Sequence, residues 1–200
     1  MPVSKDPSKR SKVNTRARLL DAAYEVIAEV GFEAATVERI CVAAGFTRGA
    51  FYGSFDSKVE LFFALWAARA SLVLEDLNSA AAQLAASPES MDTVIDDFVR
   101  HVTNDRRWFL VSSELINYCV RHEDVAAAYV EHRRELREGV GQIVAVIWER
   151  RGTPRSEVQS EWCARQLIAA IDGSQRQVWM EPDTLGDGAL QIEMVRALLR

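Results

Sequence analysis

Thr47, Arg48, Gly49 and Tyr52 put two hydroxyls, a guanidinium and a bare backbone position into one short stretch of the chain. Phe51 and Phe55 lie four apart on one face of any helix drawn through it, and an apolar pair at that spacing turns inward. The polar set, with Gly53, is left outside. The Arg48 fork suits the O6 and N7 of guanine, a contact worth ~1–3 kcal/mol of discrimination, and it suits a phosphate equally well. Thr47 and Tyr52 can donate their hydroxyls to phosphate oxygens, and Gly49 permits close backbone approach. This is chemistry for holding an anion, not for making or breaking a bond.

Positioning these groups takes two short helices and a turn. Thr36 is a good N-cap, and Val37, Ile40 and Ala44 recur behind it at helical spacing. Gly45 can take the positive φ that reverses the chain, and Thr47 can cap a second helix over about Thr47 to Ser54. Two short helices about a glycine, the second presenting small and polar residues, is the layout of a helix-turn-helix. Upstream, Leu19, Leu20, Ala23, Val26, Ile27 and Val30 give Thr15 to Val30 the stripe of a first helix, ended by Gly31. Downstream, Ser57 and Glu60 read as a capping box for a fourth helix. Lys58 falls in that helix's first turn, where a cation opposes the dipole; a nearby phosphate would favour both. Arg39, Lys12 and Arg16 are further phosphate candidates on charge and position.

The run TVERICVAAGFTRGAFYGSFDSKVEL resembles the DNA-binding signature of TetR-type transcriptional regulators. The matching anchors are Thr36, Ile40, Ala44-Gly45-Phe46-Thr47, Gly49, Phe51-Tyr52, Phe55, Lys58 and Leu61, within a match spanning about Thr15 to Leu65. The resemblance implies a dimeric regulator whose second short helix enters the major groove of double-stranded DNA. It carries Thr36 and Lys58 over as phosphate contacts and adds Ser54 to the DNA-facing set of Thr47, Arg48, Gly49 and Tyr52. Departures are Gly53 and Ser54, where the family has a large residue and a histidine, and Cys41, where alanine is usual. The first two strip bulk from the recognition helix; Cys41 reads as a small packed residue.

Net charge is −5, which alone argues against a nucleic-acid partner. Its distribution reverses that argument. Residues 1–58 hold nine Lys/Arg against seven Asp/Glu, a net of +2, and the remainder carries −7. A local cationic surface on an acidic body is the expected footprint of phosphate binding. Cys41, Cys119 and Cys163 are odd in number and widely spaced, which suits buried thiols better than a disulfide or zinc site. The polar start MPVSKDPSKRSK has no signal-peptide core and no apolar run reaches about 18 residues, so a cytoplasmic chain is expected.

The pattern predicts an all-α fold of about nine helices. A basic arm covers 1–14, a three-helix helix-turn-helix domain 15–57, and a helical ligand-binding and dimerisation domain 58–200. The fourth helix runs without a breaker to Ser87-Pro88 and is shared by both domains. Further helices are expected over Met91 to Thr103, Arg106 to Val120, Asp124 to Arg151 (interrupted by Gly139 and Gly141), Ser156 to Met180, and a final apolar helix carrying Leu190, Met194, Val195, Leu198 and Leu199. The Ser156 to Met180 helix is apolar on two sides and the final helix is apolar enough to need cover, which a twofold four-helix interface would supply. Phe98, Trp108, Phe109, Tyr118, Tyr129 and Trp148 are candidate ligand contacts, each of which would serve equally as plain core. Arg133 falls within the buried stripe of Tyr129, Leu136, Val140, Ile143 and Ile147. It needs a carboxylate or a bound anion, and a structural ion pair or an acidic ligand would each supply one.

No catalytic constellation competes with this reading. His101, His122 and His132 are scattered, and Asp96-Asp97 and Glu123-Asp124 read as solvated or capping charges. No metal or cofactor is expected. The function implied is a ligand-responsive repressor on a palindromic operator, released by a small, largely apolar effector. The alternative is a helical dimeric adaptor, or an activator, without an effector.

Overall fold

A computed structural model describes residues 7–86, 91–103, 105–185 and 188–200; among these, ten helices follow one another with no strand. The all-α class is therefore the one that the helical periodicity predicts. The helices group into two units. The first comprises the chain up to Arg69 together with Arg107–His122, and the second comprises Ala70–Arg106 and Glu123–Arg200.

The first unit holds α1 (Pro7–Ala34), α2 (Val37–Ala44), α3 (Arg48–Tyr52), the start of α4 (Lys58–Ala86) and nearly all of α6 (Arg106–Arg121). Helix α1 begins at Pro7, eight residues before the expected Thr15. Proline suits a first helical turn, where its missing N–H has no partner to lose, and nothing between Pro7 and Thr15 breaks a helix. The arm expected over 1–14 is thus helical from Pro7 onward; residues 1–6 and the side chain of Lys12 lie outside the described residues. Gly31 bends the helix at φ 78°, ψ 163°, before a last turn ending at Ala34. The positive φ calls for glycine, and a Cβ there would press on the Glu114 carboxylate at 3.2 Å.

The head has its own core. Leu19, Ala23 and Ile27 of α1, Ile40 and Ala44 of α2, Phe51, Phe55, and Leu61, Phe62 and Leu65 of α4 are all buried. Val111, Leu115 and Cys119 are the buried row of α6. Phe32 stacks on Phe62 with ring centres 4.3 Å apart and meets Tyr118 edge-on at 5.2 Å. Trp66 stacks on Trp108 at 6.5 Å.

The second unit holds the rest of α4 with α5 (Met91–Thr103), α7 (Glu123–Arg150), α8 (Glu157–Met180), α9 (Pro182–Leu185) and α10 (Ala189–Leu198). The expected break at Ser87-Pro88 lies outside the described residues. Helix α7 passes Gly139 and Gly141 unbroken, contrary to the expected interruption. Neither glycine is imposed by its surroundings: a Cβ on Gly139 would make ordinary contact with Leu74 at 3.6 Å, and one on Gly141 with the Ser160 carbonyl at 3.8 Å. Ser156 and Gln159 form a reciprocal capping box at the start of α8. Ile95, Val99, Val144, Ile147, Trp148, Cys163, Leu167, Ile192, Val195 and Leu199 make the core. The Trp148 indole N–H donates to the Leu199 carbonyl at 3.0 Å, tying the C-terminus to α7. The three thiols are buried, and burial pushes each above the ordinary cysteine range, so they stay protonated and inert.

Phe51 is fully buried and Phe55 is 1% exposed, so α3 is held to the head by its inner rings. Phe51→Ala should lower stability by ~3–5 kcal/mol, read by denaturant unfolding. A loss under 1 kcal/mol would mean that α3 is held by something else.

Candidate nucleic-acid interface

The helix-turn-helix forms from local hydrogen bonds that its sequence supplies. The Thr36 hydroxyl accepts from the Arg39 N–H at 3.2 Å, capping α2. Gly45 closes that helix in the left-handed region, φ 70°, with its N–H directed to the Cys41 and Val42 carbonyls. The Thr47 hydroxyl accepts from the Ala50 N–H at 3.3 Å, capping α3. Both caps and the glycine turn thus lie where the sequence puts them. Helix α3 is shorter than expected, five residues, and Gly53 to Phe55 continue as a turn.

Thr36, Thr47, Arg48, Gly49 and Tyr52 are exposed, while Ser54 and Lys58 are half-buried. The Arg48 guanidinium is not idle. Its Nη1 donates to Glu38 Oε1 at 2.6 Å, and its Cζ stands 6.0 Å from the centre of the Tyr52 ring. A side-chain hydrogen bond with Tyr52, and then the Glu38 carboxylate, raise its pKa further above an already high value. The Ser54 hydroxyl donates to the Ala50 carbonyl at 3.0 Å.

Several cations expected on the DNA face have partners inside the head. Lys58 Nζ donates to the carbonyls of Phe32, at 2.8 Å, and Glu33, at 3.4 Å, and sits 4.2 Å over the Phe32 ring. These carbonyls belong to the last turn of α1, so the lysine at an unfavourable end of α4 is at a favourable end of α1. Arg16 donates to the Ser54 carbonyl at 2.7 Å and lies 4.1 Å over Phe55. Arg18, which sequence reasoning did not single out, donates to the Ala44 carbonyl at 2.9 Å and lies 4.7 Å from the Phe46 ring centre. Arg39 reaches the Ala34 carbonyl at 3.5 Å. Ser57 and Glu60 cap α4 as expected, with Glu60 reaching one residue further back, to the Asp56 N–H at 2.6 Å.

The seven candidate effector residues fall in both units. Trp108, Phe109 and Tyr118 belong to the first, on α6, where Tyr118 stacks on His122 at 4.2 Å. Phe98, Tyr129, Arg133 and Trp148 belong to the second. There Arg133 Nη2 donates to Asp172 Oδ2 at 2.5 Å, so its carboxylate partner is a structural one. The second unit contains a cavity of about 80 Å³ lined only by hydrocarbon side chains, among them Phe98, Val140, Val144, Ile171 and Val195. Phe98 is the one candidate on its wall. The aliphatic residues around it were not distinguishable in sequence from ordinary core.

Residues 19–65 match the model of bacterial regulatory proteins of the tetR family. That stretch of the chain is of the tetR family. It is 27% identical to the transcriptional repressor BepR of Brucella suis over 175 residues, which is 83% of this chain and 81% of that protein. Its fold is similar to that of the regulator FadR of Bacillus subtilis in complex with stearoyl-CoA, with a TM-score of 0.74 and 20% identity over 92% of this chain and 97% of that one. It is also similar to that of SmeT in complex with triclosan, with a TM-score of 0.70 and 22% identity over 93% and 90% of the two chains. The all-α fold is therefore shared with FadR and SmeT, and the helix-turn-helix head lies within the stretch that matches the tetR family.

Replacing Lys58 by methionine removes a charged donor from two carbonyls while keeping the stem. It should destabilise the regulator by ~1.5–3 kcal/mol, the usual range for hydrogen bonds to charged groups, in a thermal or urea melt. Unchanged stability would mean that the ammonium is free for phosphate and the internal bonds count for little.

Proposed function

We propose that this regulator is a repressor that binds a palindromic DNA operator as a homodimer and is released by a small, largely apolar effector. The observation that carries the DNA-binding part is the pair of threonine caps about Gly45, which leaves Arg48, Gly49 and Tyr52 exposed on α3. In this reading α3 enters the major groove. Thr36, Thr47, Tyr52 and Ser54 meet the sugar-phosphate backbone, with Lys58 joining them once it leaves its internal carbonyls.

The dimer is supported by a row of uncovered side chains on α8. Val158, Trp162 and Met180 are 64%, 63% and 82% exposed, and Ala169 and Gly173 extend the same side. Large apolar side chains gathered on one helix face call for cover. A second copy of α8 and α10 would provide it with twofold symmetry, and two half-sites about one helical turn apart, ~34–36 Å, would follow.

The effector reading rests on the apolar cavity, and on the solved complexes of FadR with stearoyl-CoA and of SmeT with triclosan. At about 80 Å³ the cavity is far below the ~300–1,000 Å³ of ordinary ligand pockets. An effector would have to part the helices around it. Binding would thus favour a different packing of the second unit and shift the population away from the DNA-binding form. Helix α4 has residues in both units and is the covalent route for such a change. Because Arg133 is already paired with Asp172, an uncharged effector is favoured over an acidic one.

The test begins with duplexes selected from a random library by the wild-type protein. Binding should fall steeply with salt, and Arg48→Ala should weaken it by tenfold or more. Trp162→Glu should yield a monomer by light scattering and lose affinity for the two-half-site duplex. A monomeric wild type, or no enrichment from the library, would remove the proposal. Ile171→Trp should fill the cavity, leave DNA binding intact and abolish release by triclosan or by a long-chain acyl-CoA, whichever probe releases the wild type. Release that persists in this variant would place the effector elsewhere.

A further inference from the structure

Glu38 stands on the face through which the head would meet DNA, where a carboxylate costs affinity for any duplex. It lies in the first turn of α2, and its side chain is 58% exposed. Its Oε1 accepts from Arg48 Nη1 at 2.6 Å. That bond joins the first turn of α2 to the first residue of α3 and occupies one part of a five-donor fork. The centre of the Tyr52 ring lies 6.0 Å from the same guanidinium's Cζ.

We propose that Glu38 is a positioning and specificity-determining residue, which commits Arg48 to a guanine edge rather than to a phosphate. This rests on reading α3 as the recognition helix. An arginine paired with a carboxylate is locally neutral, so exchanging that partner for a phosphate strands the Glu38 charge among phosphates and gains little. A guanine can be read without the exchange: Nη1 stays on Glu38 while the remaining donors of the planar fork face O6 and N7. Exposed ion pairs are individually weak, so Glu38 acts by orienting the fork and opposing phosphate contact, not by stabilising the fold. Specificity is then obtained partly by making the wrong contact unfavourable.

Glu38 also complements the α2 dipole, a purely structural role that the test must separate. Binding is measured on two probes, the duplex that the wild type enriches from a random library and a scrambled duplex of the same composition, across a salt series. Glu38→Gln should tighten binding to the scrambled duplex about fivefold or more and steepen its log K against log salt slope by about 0.9, one added phosphate contact. The enriched duplex should change little, so selectivity falls about fivefold. Glu38→Asp keeps the charge and the dipole but shortens the reach; it should lose selectivity without gaining general affinity. In an Arg48→Ala background neither change at position 38 should alter selectivity. Equal tightening on both duplexes by Glu38→Gln, or no effect of either variant beyond a shift in melting temperature, overturns the inference. Wild-type protein that binds neither duplex overturns the helix-turn-helix reading itself, and this inference with it.

Discussion

A helix of five residues cannot persist by its own hydrogen bonds, because nucleation costs more than so few bonds return. Helix α3 exists because Phe51 is fully buried and Phe55 nearly so. Everything on its outer side inherits position from those two rings. The Thr47 cap and the Gly45 turn fix where the helix begins, and the Arg16 bond to the Ser54 carbonyl ties down where it ends. The exposed guanidinium of Arg48 is therefore a defined group on a rigid mount. That is what distinguishes a reading head from a merely basic surface.

This dependence explains why the head was legible in the sequence. Caps, glycine turns and apolar spacing are local, and Thr36, Gly45, Thr47, Phe51 and Phe55 each announce their job within a few residues. Long-range pairing is not announced. Lys58 lies in sequence at the wrong end of α4, and only the fold brings the last carbonyls of α1 beneath it. Arg16 and Lys58 read as phosphate candidates and nothing in the sequence marked Arg18, yet each donates to a backbone carbonyl of the head. Arg133 followed the same rule: spacing showed that it needed a partner but could not name Asp172, 39 residues away.

The second unit was less legible because its signals are uniform. Aliphatic residues at helical spacing predict that a helix packs, not against what, and the aromatics named as ligand contacts fall in both units, with Phe98 alone of them on the cavity wall. Trp148 is buried and bonded to the C-terminal carbonyl of Leu199. The rest of the cavity wall is almost all valine, isoleucine and leucine that no motif marks. The expected interruption of α7 at Gly139 and Gly141 failed for a related reason. A glycine inside a helix costs about 1 kcal/mol against alanine, which tertiary packing outweighs, and α7 packs along α8.

Dimethyl sulfate footprinting of the selected duplex tests the central claim most directly, because it reports guanine N7, the atom that the Arg48 fork would cover. The account predicts protected guanines related by twofold symmetry and about one helical turn apart, with protection lost in Arg48→Ala. Protection spread evenly along the duplex, or unchanged by that substitution, would contradict it.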